Sequence, residues 1–178
     1  ERRLKTLMQE KYQSHLDDLK TMEANDILKV GSIEIQSIYE NNPPELWESM
    51  VSAKIKEITT KADKVNGYVS PERRDFLEKQ LKSYEAIETA KMESLRLKEV
   101  KNRNLISLLA AIQQGEADGN GEQSSLAEQT LMGKWQDFYA SADEARIAIG
   151  DARARGQAEF QEKMLEATKN EIAAAVKF

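Results

Sequence analysis

The sequence contains no cysteine, one histidine, three prolines and eight glycines in 178 residues. Without cysteine there is no disulfide framework, no thiolate nucleophile and no Cys-based zinc site. A single histidine, His15, rules out a His-rich metal centre and leaves triad chemistry with one candidate base. Aromatic residues are scarce, at 6%, and are not interleaved with Lys and Arg as a stacking platform for single-stranded nucleic acid requires. The net charge is −5; a phosphate-tracking surface needs a basic patch, so nucleic acid is not an expected partner. The longest apolar run, Leu105-Ile106-Ser107-Leu108-Leu109-Ala110-Ala111-Ile112, falls well short of the roughly 18 to 20 residues of a membrane span. Membrane attachment is therefore expected only through segments outside this chain. The chain begins at Glu1 rather than Met, which reads as a processed or excised chain whose targeting signal could have been removed.

What is present is charge, at 32%, and a hydrophobic fraction of 40%, carried between breakers by Ala, Leu, Glu, Lys, Gln and Met, the better helix formers. Three breaks stand out: Asn41-Asn42-Pro43-Pro44, then Asn66-Gly67 with Ser70-Pro71, and Gly115-Glu116-Ala117-Asp118-Gly119-Asn120-Gly121. Proline removes a backbone donor and restricts the residue before it. Ser70 reads as an N-cap with Pro71 in the first helical position, and Ser124 or Ser125 as the cap of the last helix. The breaks predict four helices, over about 2–41, 44–65, 71–114 and 124–177. Apolar residues recur at threes and fours in each: Leu4, Leu7 or Met8, Tyr12, Leu16, Leu19, Met22, Ile27, Val30 and Ile38 in the first; Leu46, Met50, Val51, Ile55, Ile58 and Val65 in the second; Leu77, Leu81, Tyr84, Ile87, Leu95, Leu105, Leu108 or Leu109 and Ile112 in the third. No stretch alternates over a strand's length.

The fold class expected is all-α: a single domain over 1–178, built as an elongated antiparallel bundle of about four helices, one of them short. A forty-residue helix is roughly 60 Å long, and short connections between long amphipathic helices favour antiparallel neighbours. The short second helix leaves one end of such a bundle to be completed by a second copy, so a homo-oligomer, a dimer, is expected. Along the fourth helix the seam Trp135, Phe138, Ala142, Ala145, Ile149, Ala152, Gly156 shrinks from aromatic to small. It reads either as a tightly packed helix pair or as a helix whose partner can slide.

Catalytic and metal motifs fail in turn. The Asp118-Gly119-Asn120-Gly121-Glu122 loop resembles the start of a calcium loop, but Gln123 and Gln129 stand where the motif needs Gly and Glu. His15 has no Ser-bearing strained turn to work with, and adjacent acids such as Asp17-Asp18 or Asp143-Glu144 diverge around a helix. No phosphate-binding loop or dinucleotide fingerprint is present. The reading is a non-enzymatic chain with no cofactor. Arginine is the side chain best shaped to grip a carboxylate in a fork. Arg96 and Arg103 lie seven apart on one helix face, and Arg146 and Arg153 repeat the spacing. Each pair is either a solvated face with Glu or Asp partners or the lining of a crevice that binds a small organic anion.

The stretch from Asn25-Asp26-Ile27-Leu28 to Ile35-Gln36-Ser37-Ile38-Tyr39, the Pro44–Trp47 start of the second helix, and Ser70-Pro71-Glu72-Arg73 followed by Leu81-Lys82-Ser83-Tyr84-Glu85-Ala86-Ile87 form a recognisable layout. A helix ends at a tyrosine, a short helix and turn follow, and the next helix carries Leu-x-x-Tyr. This resembles the helical ligand-binding domains of bacterial transmembrane receptors, the chemotaxis transducers and sensor kinases with four-helix or double-bundle (helical bimodular) periplasmic modules. The resemblance implies a periplasmic location, a homodimer, a small organic ligand between helices and a ligand-driven helix displacement. The rival reading is a structural helical component of a larger assembly, such as a phage particle or secretion machine.

Overall fold

The structure, a computed structural model, describes residues 1–177. It is all-α, with no strand among the described residues. Helix α1 (Arg2–Asn41) leads through a 3-10 turn (Pro44–Leu46) into α2 (Trp47–Asn66), followed by α3 (Pro71–Ala117), α4 (Gly121–Gly133), the short α5 (Trp135–Phe138) and α6 (Ala142–Val176). The first three fall close to the expected bounds. The fourth expected helix, 124–177, is instead three, so the described residues form six α-helices rather than four.

Local chemistry accounts for that correction. Asn120, not Ser124, caps α4: its side chain accepts from the Gln123 N–H at 3.2 Å. Ser124 is buried inside the helix and donates to Glu116 at 2.9 Å. The chain then turns extended at Tyr139 and Ser141. Ser141-Ala142-Asp143-Glu144 restarts it: Ser141 Oγ accepts from the Glu144 N–H, and the Glu144 carboxylate accepts from the Ala140 N–H, both at 3.2 Å. This is a capping-box arrangement, in which a Ser and a Glu three residues on satisfy orphan donors at a helix start. At the end of α3, Gly119 takes φ +69°, while Asn120 N–H reaches back to the Gly115 carbonyl at 2.7 Å and Gly119 N–H to that of Glu116 at 3.2 Å. That pair of bonds around a left-handed glycine is the Schellman termination.

The packing resolves into two compact units, Glu1–Leu97 and Lys98–Phe178. In the first, Leu28 and Ile35 of α1, Val51, Ile55, Ile58 and Ala62 of α2 and Met92 of α3 form the core. Contacts fix the directions. Gly31 meets Ile58 and Glu34 pairs with Lys54, so α1 and α2 are antiparallel. Asp17 bonds Ser70, Asn25 bonds Gln80 and Ser32 bonds Glu88, so α1 and α3 run parallel.

The α1 stripe read from the sequence is largely the wrong face. Leu4, Leu7, Met8, Tyr12, Leu19, Met22 and Val30 are exposed, whereas Asp17, Ala24, Leu28, Gly31 and Ile35 are buried. The small residues decide it. A Cβ on Gly31 would lie 2.5 Å from Ile58 Cδ1, so α1 approaches α2 only through its least bulky side. In the second and third helices Val51, Ile55, Ile58, Val65, Leu77 and Ile112 are buried as expected; Leu46, Met50 and Ile87 are exposed.

The second unit has its core in Ile112 of α3, Ala127 and Leu131 of α4, and Ala145, Ile149 and Ala152 of α6, with Trp135, Phe138 and Tyr139 packed against it. The seam Ala145, Ile149, Ala152, Gly156 is buried. A Cβ on Gly156 would stand 2.3 Å from the Gln113 carbonyl oxygen, so α6 lies directly on the α3 backbone there.

Candidate functional site

In the first unit a cavity of about 250 Å³ opens between α1 and α3, lined by Ser32, Ile35, Gln36 and Tyr39 on one side and Glu88, Lys91, Ser94 and Leu95 on the other. Residues three, four and seven apart share a helix face, so both helices present polar groups within a stripe that is otherwise core. Glu88 is only 3% exposed. Ser32 Oγ lies 3.1 Å from Glu88 Oε1 and 3.2 Å from Tyr84 Oη. A serine has one hydroxyl proton and a carboxylate oxygen is an acceptor. The proton of Ser32 therefore goes to Glu88, and Tyr84 donates to Ser32. Lys91 Nζ, on a side chain 59% exposed, approaches the same Glu88 oxygen at 3.4 Å.

Tyr39 completes the cavity. Its ring stands edge-on to Trp47, with centroids 5.2 Å apart, and the Trp47 indole N–H donates to the Asn42 carbonyl at 3.0 Å. The Tyr39 hydroxyl is buried and has no hydrogen-bond partner among the described residues. Burial first, and then the charge of Glu88, push its pKa above the ordinary phenol value. Tyr84 is likewise raised, by burial and by Glu88 and Glu34, against a lowering contribution from Ser32. Both phenols keep their protons. A carboxylate, an ammonium, two serines and one aromatic ring thus line one small space.

A larger apolar groove of about 500 Å³ runs along α1 beside α2, lined among others by Leu19, Met22, Ile27, Val30 and Ile58 with Asp26 and Lys61 at its edges.

Each of the four arginines singled out from the sequence meets a carboxylate of the chain. Arg96 pairs with Glu48 at 2.9 Å, Arg103 with Glu99 at 3.3 Å, and Arg146 with Asp143 at 2.8 Å. Arg153 holds Glu116 at 3.2 Å and also Glu128, joining α6 to α3 and α4. An organic anion at any of them competes with a carboxylate of the chain itself. His15 is exposed. Among the described residues no group of three His, Cys, Asp or Glu could hold a metal ion, and no helix is long and apolar enough to cross a membrane.

The sequence did carry a signal for the Glu88 pocket. Leu77, Leu81, Tyr84, Glu88, Met92 and Leu95 keep an unbroken rhythm of threes and fours, in which Glu88 occupies a core position. Asp17 does the same on α1. There its carboxylate accepts from the Ser70 N–H at 2.9 Å and the Ser70 hydroxyl at 2.5 Å, pinning the α3 entry to α1. Ser70 thus spends its hydroxyl proton on Asp17.

Comparison of the chain with protein-family models, with curated proteins and with solved structures finds no match.

Proposed function

We propose that the chain is a non-catalytic ligand-binding helical module, working as the periplasmic sensor part of a transmembrane signalling receptor. The observation that carries the binding reading is the cavity between α1 and α3, lined by the buried Glu88 and by Tyr39, a space large enough for a small molecule. The presence of two compact units served by one long helix, α3, supports a double-bundle sensor layout. A ligand seated between α1 and α3 would favour one relative position of the two helices, and a two-state helix displacement is what a receptor transmits.

A thermal-shift screen against small amines, amino acids and organic acids tests the reading. A ligand at a hundred times its dissociation constant adds about 2.7 kcal/mol, and a shift in unfolding temperature from no compound would overturn it.

One observation favours assembly. Leu19, Met22, Val30 and Ile33 form an apolar face on α1 directed away from its core, a surface that a homodimer would cover, as would lateral packing in a structural assembly. Light scattering over a concentration series separates the two: a closed dimer supports the sensor, and open-ended growth supports the structural component.

A further inference from the structure

We propose that the cavity between α1 and α3 takes a small organic cation bearing a primary ammonium group, held by the Glu88 carboxylate in place of Lys91. This rests on the reading of the chain as a ligand-binding module and specifies the chemistry of what it binds. Glu88 is buried with only a neighbouring hydroxyl and one long, flexible cation for company. A buried charge is costly unless it is paired and hydrogen-bonded. Ser32 and Lys91 meet that need in the ligand-free chain; a ligand ammonium would take over the part of Lys91 from inside the cavity, whereas an organic anion would meet the carboxylate head on.

The chain itself displays the interaction. Lys91 brings an ammonium to within 3.4 Å of Glu88 Oε1, from a side chain 59% exposed. It is an intramolecular stand-in that a ligand ammonium replaces as the lysine swings back to water. Tyr39 lines the cavity, and a phenol ring is a favourable wall for a cation. A divalent metal is the poorer fit. Calcium takes six to eight oxygen ligands, while the cavity offers one carboxylate, and no group of three candidate ligands occurs among the described residues. The volume, about 250 Å³, lies below the range typical of drug-sized ligands and suits a molecule of a few heavy atoms.

Lys91 makes the proposal sharp, because it takes opposite roles for opposite ligands. For an ammonium ligand it is a competitor, and Lys91→Gln strengthens binding. For an anionic ligand it is the gripping group, and Lys91→Gln weakens binding. The experiment is isothermal titration calorimetry of the whole chain with butylamine, putrescine and succinate. We expect heat from at least one amine and none from succinate. Glu88→Gln, which keeps the shape and an acceptor for Ser32, should weaken amine binding about 10- to 100-fold, the loss of a charge-assisted hydrogen bond. Lys91→Gln should tighten it. Circular dichroism and unfolding temperature of each variant confirm that it folds. Amine binding unchanged in Glu88→Gln, or weakened in Lys91→Gln, overturns the proposal. Binding of succinate but of neither amine overturns it while leaving a ligand-binding module standing. A broad thermal-shift screen with no responding compound removes both.

Discussion

Replacing Gly156 by alanine sets helix propensity against packing, and the structure says which wins. In an unencumbered helix interior the change is favourable by about 1 kcal/mol, because glycine loses more backbone entropy on folding than alanine. At Gly156 the new Cβ would stand 2.3 Å from the Gln113 carbonyl oxygen, 2.7 Å from Glu116 Cβ and 3.1 Å from the Gln113 carbonyl carbon. Two of these three are backbone atoms, so no rotamer change relieves them, and α6 must retreat from α3 by about the missing ångström. Overpacking of this kind costs about 1 to 3 kcal/mol, with rigid obstacles at the upper end. Net of the propensity gain, Gly156→Ala should destabilise by about 2 kcal/mol. At the sensitivity of a chain this size, about 2 to 4 °C per kcal/mol, the unfolding temperature should fall by about 4 to 8 °C. Gly150, on the same helix, is the internal control: nothing lies within 4 Å of its Cβ position, so Gly150→Ala should raise the unfolding temperature by about 2 to 4 °C. Thermal denaturation followed by circular dichroism reads both variants. If Gly156→Ala stabilises as Gly150→Ala does, α6 does not lie against the α3 backbone and the reasoning fails.

Three further outcomes follow from single sites. Burial opposes ionisation of Asp17, but the hydrogen bonds from Ser70, with Gln13 and Arg73 assisting, hold its pKa below the ordinary 3.8. The unfolded chain therefore takes up this proton first, so the stability Asp17 contributes is complete above pH 3.8 and lost as pH falls through the lower folded value. Asp17→Ala should remove about 2 to 3 kcal/mol at neutral pH and flatten the acid limb of a stability–pH curve; an unchanged limb would contradict the assignment. Ser141→Ala deletes the cap of α6 and should cost about 1 kcal/mol in urea unfolding, with Ser141→Asp restoring most of it. Tyr39→Phe removes a hydroxyl that is buried without a partner, so the ligand-free chain should be unchanged or up to about 1 kcal/mol more stable; a loss of more than that would show that the hydroxyl already has a partner.

Fold class and breaks were legible because prolines, asparagines and glycines punctuate a composition otherwise made of good helix formers, and α1, α2 and α3 fall close to their expected bounds. The break within the last segment was harder to see. It contains no proline, and its marker is the Ser141-x-x-Glu144 box, a signal carried by two hydrogen bonds instead of by composition. On α1 the rhythm of apolar residues misled for a physical reason. Met8, Tyr12, Leu19, Met22 and Val30 lie opposite Ala24, Leu28, Gly31 and Ile35 around the helix, and the larger side chains dominate any pattern read by hydrophobicity. Burial followed the small residues, because only they let Ile58 come within contact distance. The arginines were conspicuous by charge and spacing, yet spacing along one helix says nothing of which acids the neighbouring helices supply.

The polar residues at core positions of this chain do not all mean the same thing, and the difference is how fully each is satisfied. Asp17 accepts from Ser70 twice and from Gln13; Ser124, Glu116 and Arg153 close on one another, with Glu128 taking the far side of the guanidinium. Such groups fix which helices meet and in what register, and replacing any one strands its partners. Asn66 is the instructive counter-case: its side-chain amide is buried without a partner, but it lines neither cavity described above, so nothing offers it a ligand. Being unsatisfied is therefore not enough to make a site. At Glu88 the buried carboxylate and the open volume coincide, and the cation that pairs with it, Lys91, sits on a side chain largely in water. That conjunction separates a binding position from an imperfection of packing.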